Sequence, residues 1–288
     1  MDASGVGASG VGPIVLAAML SSALLHASWN AWVKSRPDPY GALIALGVGA
    51  AWPNAILLVF SGIPEHAAWG WISVTILLSV PAQALLGSAY REGDFAVAYP
   101  MVRGLNPLVI ALAAIPLFHE RLALPNLLGV LCISAGIALL GWEAARRSRT
   151  ITLRGLGFAA LAAGATATGA LTDSMGARVA DDPLSYAPLI AIGNGVAMAA
   201  YQVRRVDLPR VLAQHWQIAL FGPLLSTSSY LLAIWSLTQA PVALVVSLRE
   251  TSMLFAVAIG AFVLRERVGA WRWLAVAVVF AGVLLIRS

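Results

Sequence analysis

Charged residues are scarce in this sequence. Asp, Glu, Lys and Arg make up 11% of its 288 residues, whereas a soluble domain carries about 25%. Lysine is nearly absent, since Lys34 is the single one and the other basic residues are arginines. The net charge of +5 therefore comes without a lysine-rich tract or a basic stripe interleaved with aromatics, and we expect no nucleic-acid partner.

Cysteine and catalytic motifs are also lacking. Cys132 is the single cysteine, which excludes an internal disulfide and a cysteine-based metal cluster. The four histidines are scattered without the spacing of metal ligands, and the motifs HExxH, GxxxxGK[ST] and GxSxG do not occur. We therefore predict no catalytic residue, no metal, no cofactor and no enzyme activity.

Long hydrophobic runs are what the sequence has in abundance. Hydrophobic residues make up 60% of the chain, and a membrane-spanning helix needs about 20 mostly apolar residues in succession. Ten runs meet that requirement: 13–33, 40–61, 67–90, 95–118, 124–142, 154–176, 184–203, 214–236, 240–264 and 270–287. The segment before the first run lacks the basic region of a signal peptide, so we expect that run to be retained. The predicted fold class is an all-α integral membrane protein with ten transmembrane helices in a lipid bilayer.

Two groups of five runs flank the longest charged break. An ungapped shift of 146 residues places Arg103 on Arg249 and Glu120 on Glu266. Because five helices per half make the second half enter from the opposite side, we expect two inverted repeats, a common design of secondary transporters. The predicted domains are a first repeat at 1–142 (helices one to five), a basic connecting loop at 143–153 and a second repeat at 154–288 (helices six to ten).

Basic residues of the loops are distributed unevenly between the two sides of the membrane. With the N-terminus on side one, that side carries three: Arg121, Arg178 and Arg287. Side two carries thirteen: Lys34, Arg36, Arg91, Arg146, Arg147, Arg149, Arg154, Arg204, Arg205, Arg210, Arg265, Arg267 and Arg272. Because cytoplasmic loops are enriched in Lys and Arg, we predict that side two is cytoplasmic and that both termini lie outside the cytoplasm.

Two similar segments carry a family resemblance. One reads AYPMVRGLNPLVIALAAIPLFHERL followed by LLGVLCISAGIALL, and the other reads VVSLRETSMLFAVAIGAFVLRERV followed by LAVAVVFAGVLLI. Each resembles the end of the EamA domain, the repeated unit of the drug/metabolite transporter superfamily, and LLHASWNAWVKS in helix one resembles a subgroup of these proteins. The resemblance implies a ten-helix transporter with a central cavity between the repeats and alternating access without ATP. It leaves the cargo open, because members carry amino acids, nucleotide-related metabolites, sugars and drugs.

Arg103 and Arg249 lie inside predicted helices, where charge is expensive. An Arg at a helix centre costs about 2.5 to 3.5 kcal/mol on insertion scales. At 1.5 Å per residue both lie about 12–14 Å deep, near the middle of a ~30 Å hydrocarbon core. Two interpretations stay open. One or both line a cavity and attract an anionic group such as a substrate carboxylate, or Arg249 has a structural role, pairing with a carboxylate or capping carbonyls of a broken helix.

Two carboxylates need an explanation of their own. Glu250 follows Arg249 directly, so the two side chains point about 100° apart and do not face each other. Glu250 is expected either to pair with Arg103 across the repeat interface or to act as a protonatable coupling group. Asp173 lies near the far end of helix six, where a position close to the membrane interface would cost it little, and it is a further candidate.

Polar and aromatic side chains of other helices complete the candidate substrate-binding set. His26, Trp29 and Asn30 share one face of helix one at i, i+3 and i+4, which suits one wall of a pocket or a hydrogen-bonding surface between helices. Glu120 and Glu266 lie at span ends and are interpreted chiefly as helix-start and interface charges. The candidates are Arg103, Arg249, Glu250, His26, Trp29, Asn30, Tyr90, Tyr99, Asp173 and Asn194.

The predicted function is secondary-active transport, as an exporter of a small polar or amphiphilic metabolite or drug, by alternating access. Protons are the candidate coupling ion, and the protein is either a monomer or a dimer. A flippase for a lipid-linked metabolite is the alternative among transporters, and a membrane-embedded enzyme is the rival outside them. The expected location is the bacterial inner membrane, as a multi-pass protein. Family relatives are expected to have both termini in the cytoplasm, opposite to the orientation that the loop charges favour here.

Overall fold

The structure, a computed structural model, describes residues 11–92, 95–120, 122–147, 152–180, 182–262 and 269–287. This part of the chain forms thirteen α-helices and no strand. They are α1 Pro13–Lys34, α2 Pro39–Gly49, α3 Ala51–Ser61, α4 His66–Glu92, α5 Phe95–Phe118, α6 Leu124–Arg147, α7 Leu153–Val179, α8 Pro183–Gln202, α9 Leu208–Gln214, α10 Trp216–Gln239, α11 Val242–Glu250, α12 Ser252–Phe262 and α13 Ala270–Arg287.

Ten segments of these helices are long and apolar enough to cross a membrane, which confirms the predicted fold class. Two predicted spans are interrupted, however. The second consists of α2 and α3, which meet at Ala50, and the ninth consists of α11 and α12, which meet at Thr251. A short helix, α9, lies within the predicted break before the eighth span. Hydropathy predicts the spans but not these interruptions, because a break in a helix depends on local hydrogen bonds that the average hydropathy of the run does not report.

Aspartate side chains cap the first turns of three helices. Two of these helices, α2 and α9, begin on the side of the membrane where α1 ends, and α8 begins on the opposite side. The carboxylates of Asp38, Asp182 and Asp207 each accept a first-turn backbone N–H of α2, α8 and α9, at 3.0, 2.9 and 3.3 Å. A proline in the first turn of each helix supplies a preset φ and needs no hydrogen-bond acceptor. These caps keep the connections short, so that consecutive helices turn back on each other.

Helix α11 is the centre of the molecule. Every residue from Val242 to Leu248 is buried, and α11 packs against α1, α5, α6, α7 and α10. A helix that is buried on all sides belongs to the interior of a bundle rather than to its lipid-facing surface. Of the two charged residues at its end, Glu250 is buried and Arg249 is half-buried.

The break after α11 is a tight turn. The backbone N–H of Thr251 donates to the carbonyl of Leu248 at 3.1 Å, and its hydroxyl donates to the same carbonyl at 2.6 Å. This replaces the usual bond to the fourth preceding residue with one to the third, which narrows the helix locally. The turn lies directly after the charged residues and fixes the direction in which they leave the helix.

Helices α6 and α13 pack together through glycines. A Cβ added to Gly129 would lie 2.8 Å from the carbonyl oxygen of Gly282, and one added to Gly282 would lie 2.8 Å from that of Gly129. A Cβ on Gly136 would lie 3.0 Å from the carbonyl oxygen of Ala275. Such backbone-to-backbone approach is typical of membrane helices, whose association depends on close packing.

Candidate functional site

Arg103 and Glu250 form a buried ion pair. Nη1 of Arg103 on α5 donates to Oε1 of Glu250 at the end of α11, at 3.1 Å. The side chains are 16% and 1% exposed, and the amide of Asn106 donates to the same carboxylate oxygen at 3.4 Å. Of the two roles left open for Glu250 by the sequence, pairing with Arg103 is the one that this geometry fits.

His26 is another partner of Arg103. Nη2 of Arg103 donates to Nε2 of His26 on α1, and because a guanidinium has no acceptor, His26 accepts through a neutral imidazole. The ring of Trp29 lies edge-on to that of His26 at 4.8 Å, and its indole Nε1 is buried without a partner among the described residues. Asn30 instead donates to the carbonyl of His26 within its own helix, at 2.9 Å. The helix-one face therefore contributes His26 and Trp29 to the site, with Asn30 turned to its backbone.

Arg249 differs from Arg103 in its contacts. No residue that the structure describes accepts a hydrogen bond from its guanidinium, and its Nε is buried. It interacts electrostatically with Arg103, Glu250, Tyr230 and Asp173. In the described part of the chain it neither pairs directly with a carboxylate nor caps a helix carbonyl, which were the structural roles considered from the sequence.

Asp173 belongs to the same interior region. It lies on α7, its Oδ2 accepts the hydroxyl of Tyr230 on α10 at 3.0 Å, and its Oδ1 accepts the hydroxyl of Thr75 on α4 at 3.1 Å. Thr75 also shares a hydrogen bond of 2.8 Å with Thr172. The carboxylate is thus turned inward and bonded to two other helices, rather than left to water at the membrane interface.

Thr75 and Tyr230 are site residues that the sequence analysis missed. Each lies in an apolar run with ordinary polar neighbours, and Thr75 is 98 positions from Asp173. The available signal was indirect, since a carboxylate inside a membrane helix requires donors from neighbouring helices. Nothing in the sequence says which helices those are.

Of three further candidates, only Asn194 has a described side chain, and it is not connected to this region. Asn194 on α8 makes no hydrogen bond to any residue of the site, and its Oδ1 is buried without a partner among the described residues. The side chains of Tyr90 and Tyr99 lie outside the described residues. The predicted role of all three in substrate binding stays a prediction.

Glu120 lies at a separate place, where four helix ends meet. Its Oε1 accepts the N–H of Val242 at the start of α11 at 2.9 Å and Nη2 of Arg178 at 3.3 Å. Arg178 also donates to the carbonyls of Leu237 and Ala240. Burial raises the pKa of the Glu120 carboxyl, an effect that the Val242 N–H and Arg178 oppose. The arrangement fits a helix-start and interface charge; Glu266 lies outside the described residues.

The interior site offers hydrogen-bond donors and charge rather than metal ligands. Among the described residues no three His, Cys, Asp or Glu side chains cluster as metal ligands do. Arg249 provides positive charge and N–H donors in this region, and the carboxylates of Asp173 and Glu250 provide negative charge.

Comparison with known proteins agrees with this architecture. The EamA-like transporter family matches residues 153–288. Over 80 residues the chain is 41% identical to a probable 4-amino-4-deoxy-L-arabinose-phosphoundecaprenol flippase subunit, ArnE, of Enterobacter sp. (strain 638), covering 28% of this chain and 74% of that protein. A crystal structure of another protein matches with a TM-score of 0.73 over 96% of both chains at 18% identity, which shows a shared fold. This chain therefore belongs to the EamA-type transporters of the drug/metabolite transporter superfamily and is a multi-pass membrane transporter.

Proposed function

We propose that this protein is a secondary-active exporter whose substrate, a small polar or amphiphilic metabolite or drug, carries an anionic group that binds Arg249. The single observation that carries the proposal is the contrast between the two interior arginines. Arg103 is bound by Glu250 and His26, whereas Arg249 donates no hydrogen bond to any described residue.

The energetics favour an anionic ligand. Arg249 is half-buried, and its Nε lies buried without a hydrogen-bond partner among the described residues. A guanidinium offers five N–H donors in a planar fork. Carboxylates and phosphates accept two of these donors in parallel. The free indole N–H of Trp29 is an additional donor, and the aromatic and apolar surroundings suit an amphiphilic body.

Alternating access between two inverted repeats is the proposed mechanism. A two-fold axis would relate the first five membrane spans to the last five. It would superimpose the contact between α1 and α10 on the contact between α7 and α4, and both contacts occur. It maps the contacts of α5 with α11, α6 with α13 and α3 with α8 onto themselves, and all three occur. The two halves differ in one contact. The fourth span packs extensively against the fifth, through α5 and α6, whereas the described residues of α12 in the ninth span make only a small contact with α13 in the tenth. This pattern supports a repeat pair that could rock around α11.

The proposed membrane and orientation rest on the distribution of basic residues in the sequence. We place the protein in the bacterial inner membrane, with side two and its thirteen loop cations in the cytoplasm. Both termini are then outside the cytoplasm, and export proceeds from the side of the α1–α2 connection to the side of the termini.

A flippase for a lipid-linked metabolite is the second candidate. The relative from Enterobacter is named as a flippase subunit for a phosphoundecaprenol-linked amino sugar. The phosphate that joins sugar and lipid in such a compound would be the anionic group at Arg249, so the two proposals share one contact. They differ in whether an apolar chain stays in the lipid during transport.

A ligand screen on the purified protein tests the proposal. A ligand at a hundred times its Kd stabilises the folded protein by about 2.7 kcal/mol, which is visible as a thermal shift. We expect anionic metabolites, soluble or undecaprenyl-linked, to stabilise wild type but not Arg249→Gln. The exposed Arg210→Gln is the matched control and should keep the wild-type response. If the same compounds stabilise Arg249→Gln equally, the assignment of the site is wrong.

A further inference from the structure

A pocket of about 320 Å³ lies where the α1–α2 connection meets the start of α10. This volume is within the range of about 300–1,000 Å³ that small-molecule sites occupy. The lining comes from two segments that are far apart in the chain: Arg36, Pro37 and Asp38 from one, and Gln214, His215, Trp216, Gln217 and Ile218 from the other. None of these residues belongs to the interior site, so the pocket is a separate candidate for binding.

The pocket lies at a membrane–water interface. The span of α1 ends at Lys34, the span of α2 and α3 begins at Pro39, and the span of α10 begins at Trp216, so three span ends meet on one side of the membrane. Trp216 is exposed, and tryptophans at span ends typically lie at the level of the lipid headgroups. A headgroup can therefore reach this pocket without entering the protein interior.

Arg36 brings positive charge to the pocket. Its Nη2 donates to Oε1 of Gln217 at 3.2 Å, and its guanidinium carbon lies 5.4 Å from the centre of the Trp32 ring. These contacts hold the guanidinium beside the first turn of α10. No other described residue accepts a hydrogen bond from Arg36, and its Nε is buried without a partner. Nη1 is therefore available to a ligand.

The first turn of α10 is a second feature that favours a phosphate. No side chain caps this turn, although α10 is 24 residues long. Uncapped first-turn N–H groups, together with the positive end of the helix dipole, attract phosphates and other anions. Trp216, Gln217 and Ile218 of this turn line the pocket together with Arg36. A phosphate in the pocket would thus meet a guanidinium and a helix N-terminus at once.

Asp38 gives the pocket a negative charge as well. Its Oδ1 accepts the N–H of Gly41 at 3.0 Å, whereas its Oδ2 lies 3.7 Å from Nε2 of His215, which is too long for a hydrogen bond. Oδ2 can therefore accept from a ligand. A simple anion would be repelled by this carboxylate. A group that carries both a phosphate and an ammonium would satisfy both charges of the lining.

We propose that this pocket binds a zwitterionic group in which a phosphate is joined to a primary ammonium, as in the headgroup of an aminophospholipid. The phosphate lies against Arg36 and the first turn of α10, and the ammonium donates to Oδ2 of Asp38. Because the two lining segments belong to different halves of the chain, the headgroup contacts both halves. The proposal does not depend on the substrate proposed for Arg249.

Native mass spectrometry of the full-length protein tests the proposal. Delipidated protein in detergent would be mixed with phosphatidylethanolamine or phosphatidylglycerol that have identical acyl chains, and the lipid-bound fraction would be measured at equal lipid concentrations. We expect wild type to retain more phosphatidylethanolamine, because phosphatidylglycerol has the phosphate but no ammonium. Arg36→Gln should weaken the binding of both lipids by roughly tenfold or more, the effect of one lost charge-assisted contact.

Asp38→Asn separates the two charges of the pocket. Asparagine also caps helix starts, so α2 should keep its first turn while the carboxylate charge is lost. We expect this variant to lose the preference for phosphatidylethanolamine and to retain phosphatidylglycerol at least as well as wild type does. Arg210→Gln, at an exposed arginine of α9, is the matched control and should keep the wild-type preference, as should Arg249→Gln.

Soluble phosphoethanolamine distinguishes a lipid from a free metabolite. Displacement of the lipid by this compound would show that the zwitterionic group binds by itself, and retention of the lipid would show that the acyl chains add to its binding. Equal retention of the two lipids by wild type, unchanged lipid binding in Arg36→Gln or an unchanged preference in Asp38→Asn would overturn the proposal. Loss of the preference in Arg249→Gln would also overturn it, by placing the selective site in the interior. Failure of every anion in the ligand screen would contradict the proposed function and leave the lipid result standing.

Discussion

Replacing Glu250 with Gln removes the carboxylate that contacts Arg103 while keeping the shape of the side chain. The carboxylate is 1% exposed and its partner 16%, with 3.1 Å between Nη1 and Oε1. Breaking a buried pair by removing one member costs about 3–5 kcal/mol, because the other charge stays buried. We expect a value near the lower end of that range, since Arg103 is not wholly excluded from solvent and His26 still accepts from it.

A double-mutant cycle separates this pair from general damage to the helix. Free energies of unfolding would be measured by SDS titration in mixed micelles for Arg103→Gln, Glu250→Gln and the double variant. Because the two residues are in contact, the double variant should be more stable than the sum of the single losses predicts, by about 1–3 kcal/mol. Arg205→Gln, at an exposed arginine whose described contacts are with the carbonyl and ring of Tyr201, is the surface control and should have an effect within about 0.5 kcal/mol. Strict additivity would refute the claim that Arg103 and Glu250 stabilise each other.

Three other predictions concern regions outside the interior site. Gly129→Ala should destabilise the protein by about 1–3 kcal/mol in the same assay, because its Cβ would lie 2.8 Å from the Gly282 carbonyl oxygen. Gly157→Ala, whose Cβ would have nothing within 4 Å, should be neutral or slightly stabilising. Equal effects of the two substitutions would contradict the packing account. Burial raises the pKa of the Glu120 carboxyl in the folded protein, so the contribution of this group to stability is largest below the ordinary carboxyl pKa and is lost as pH rises through the folded-state pKa. Glu120→Gln should remove this pH dependence of the thermal unfolding temperature, and an unaltered pH dependence would contradict the assignment. A reporter fused to the C-terminus should be active only outside the cytoplasm, and cytoplasmic activity would refute the orientation.

The number of spans could be predicted from the sequence because each apolar run exceeds the length that a bilayer requires. The interruption at Thr251 could not, since it depends on a side-chain hydroxyl bonding the carbonyl of Leu248. Arg103 and Arg249 could be singled out because charge is rare in such runs. Their different roles depend on which carboxylate each one meets in three dimensions.

Glu250 has no carboxylate at the equivalent position of the other half. A shift of 146 residues places Gly104 there. A Cβ on Gly104 would be in van der Waals contact with α6, at 3.5 Å from the carbonyl oxygen of Ser134 and from the backbone nitrogen of Ala138. The two halves therefore differ at the position of the interior glutamate, and this difference could be read from the sequence, whereas the pairing of Glu250 with Arg103 could not.

Counterflow in proteoliposomes tests the central claim, that Arg249 binds the anionic group of the substrate during transport. Vesicles containing equal amounts of folded wild type, Arg249→Gln or Arg210→Gln would be loaded with the strongest anionic compound from the ligand screen, and uptake of its radiolabelled form would be followed. Loss of one charge-assisted contact of about 1.5–3 kcal/mol predicts at least a roughly tenfold fall in rate for Arg249→Gln at subsaturating substrate. Arg210→Gln should match wild type. A wild-type rate for Arg249→Gln would contradict the account.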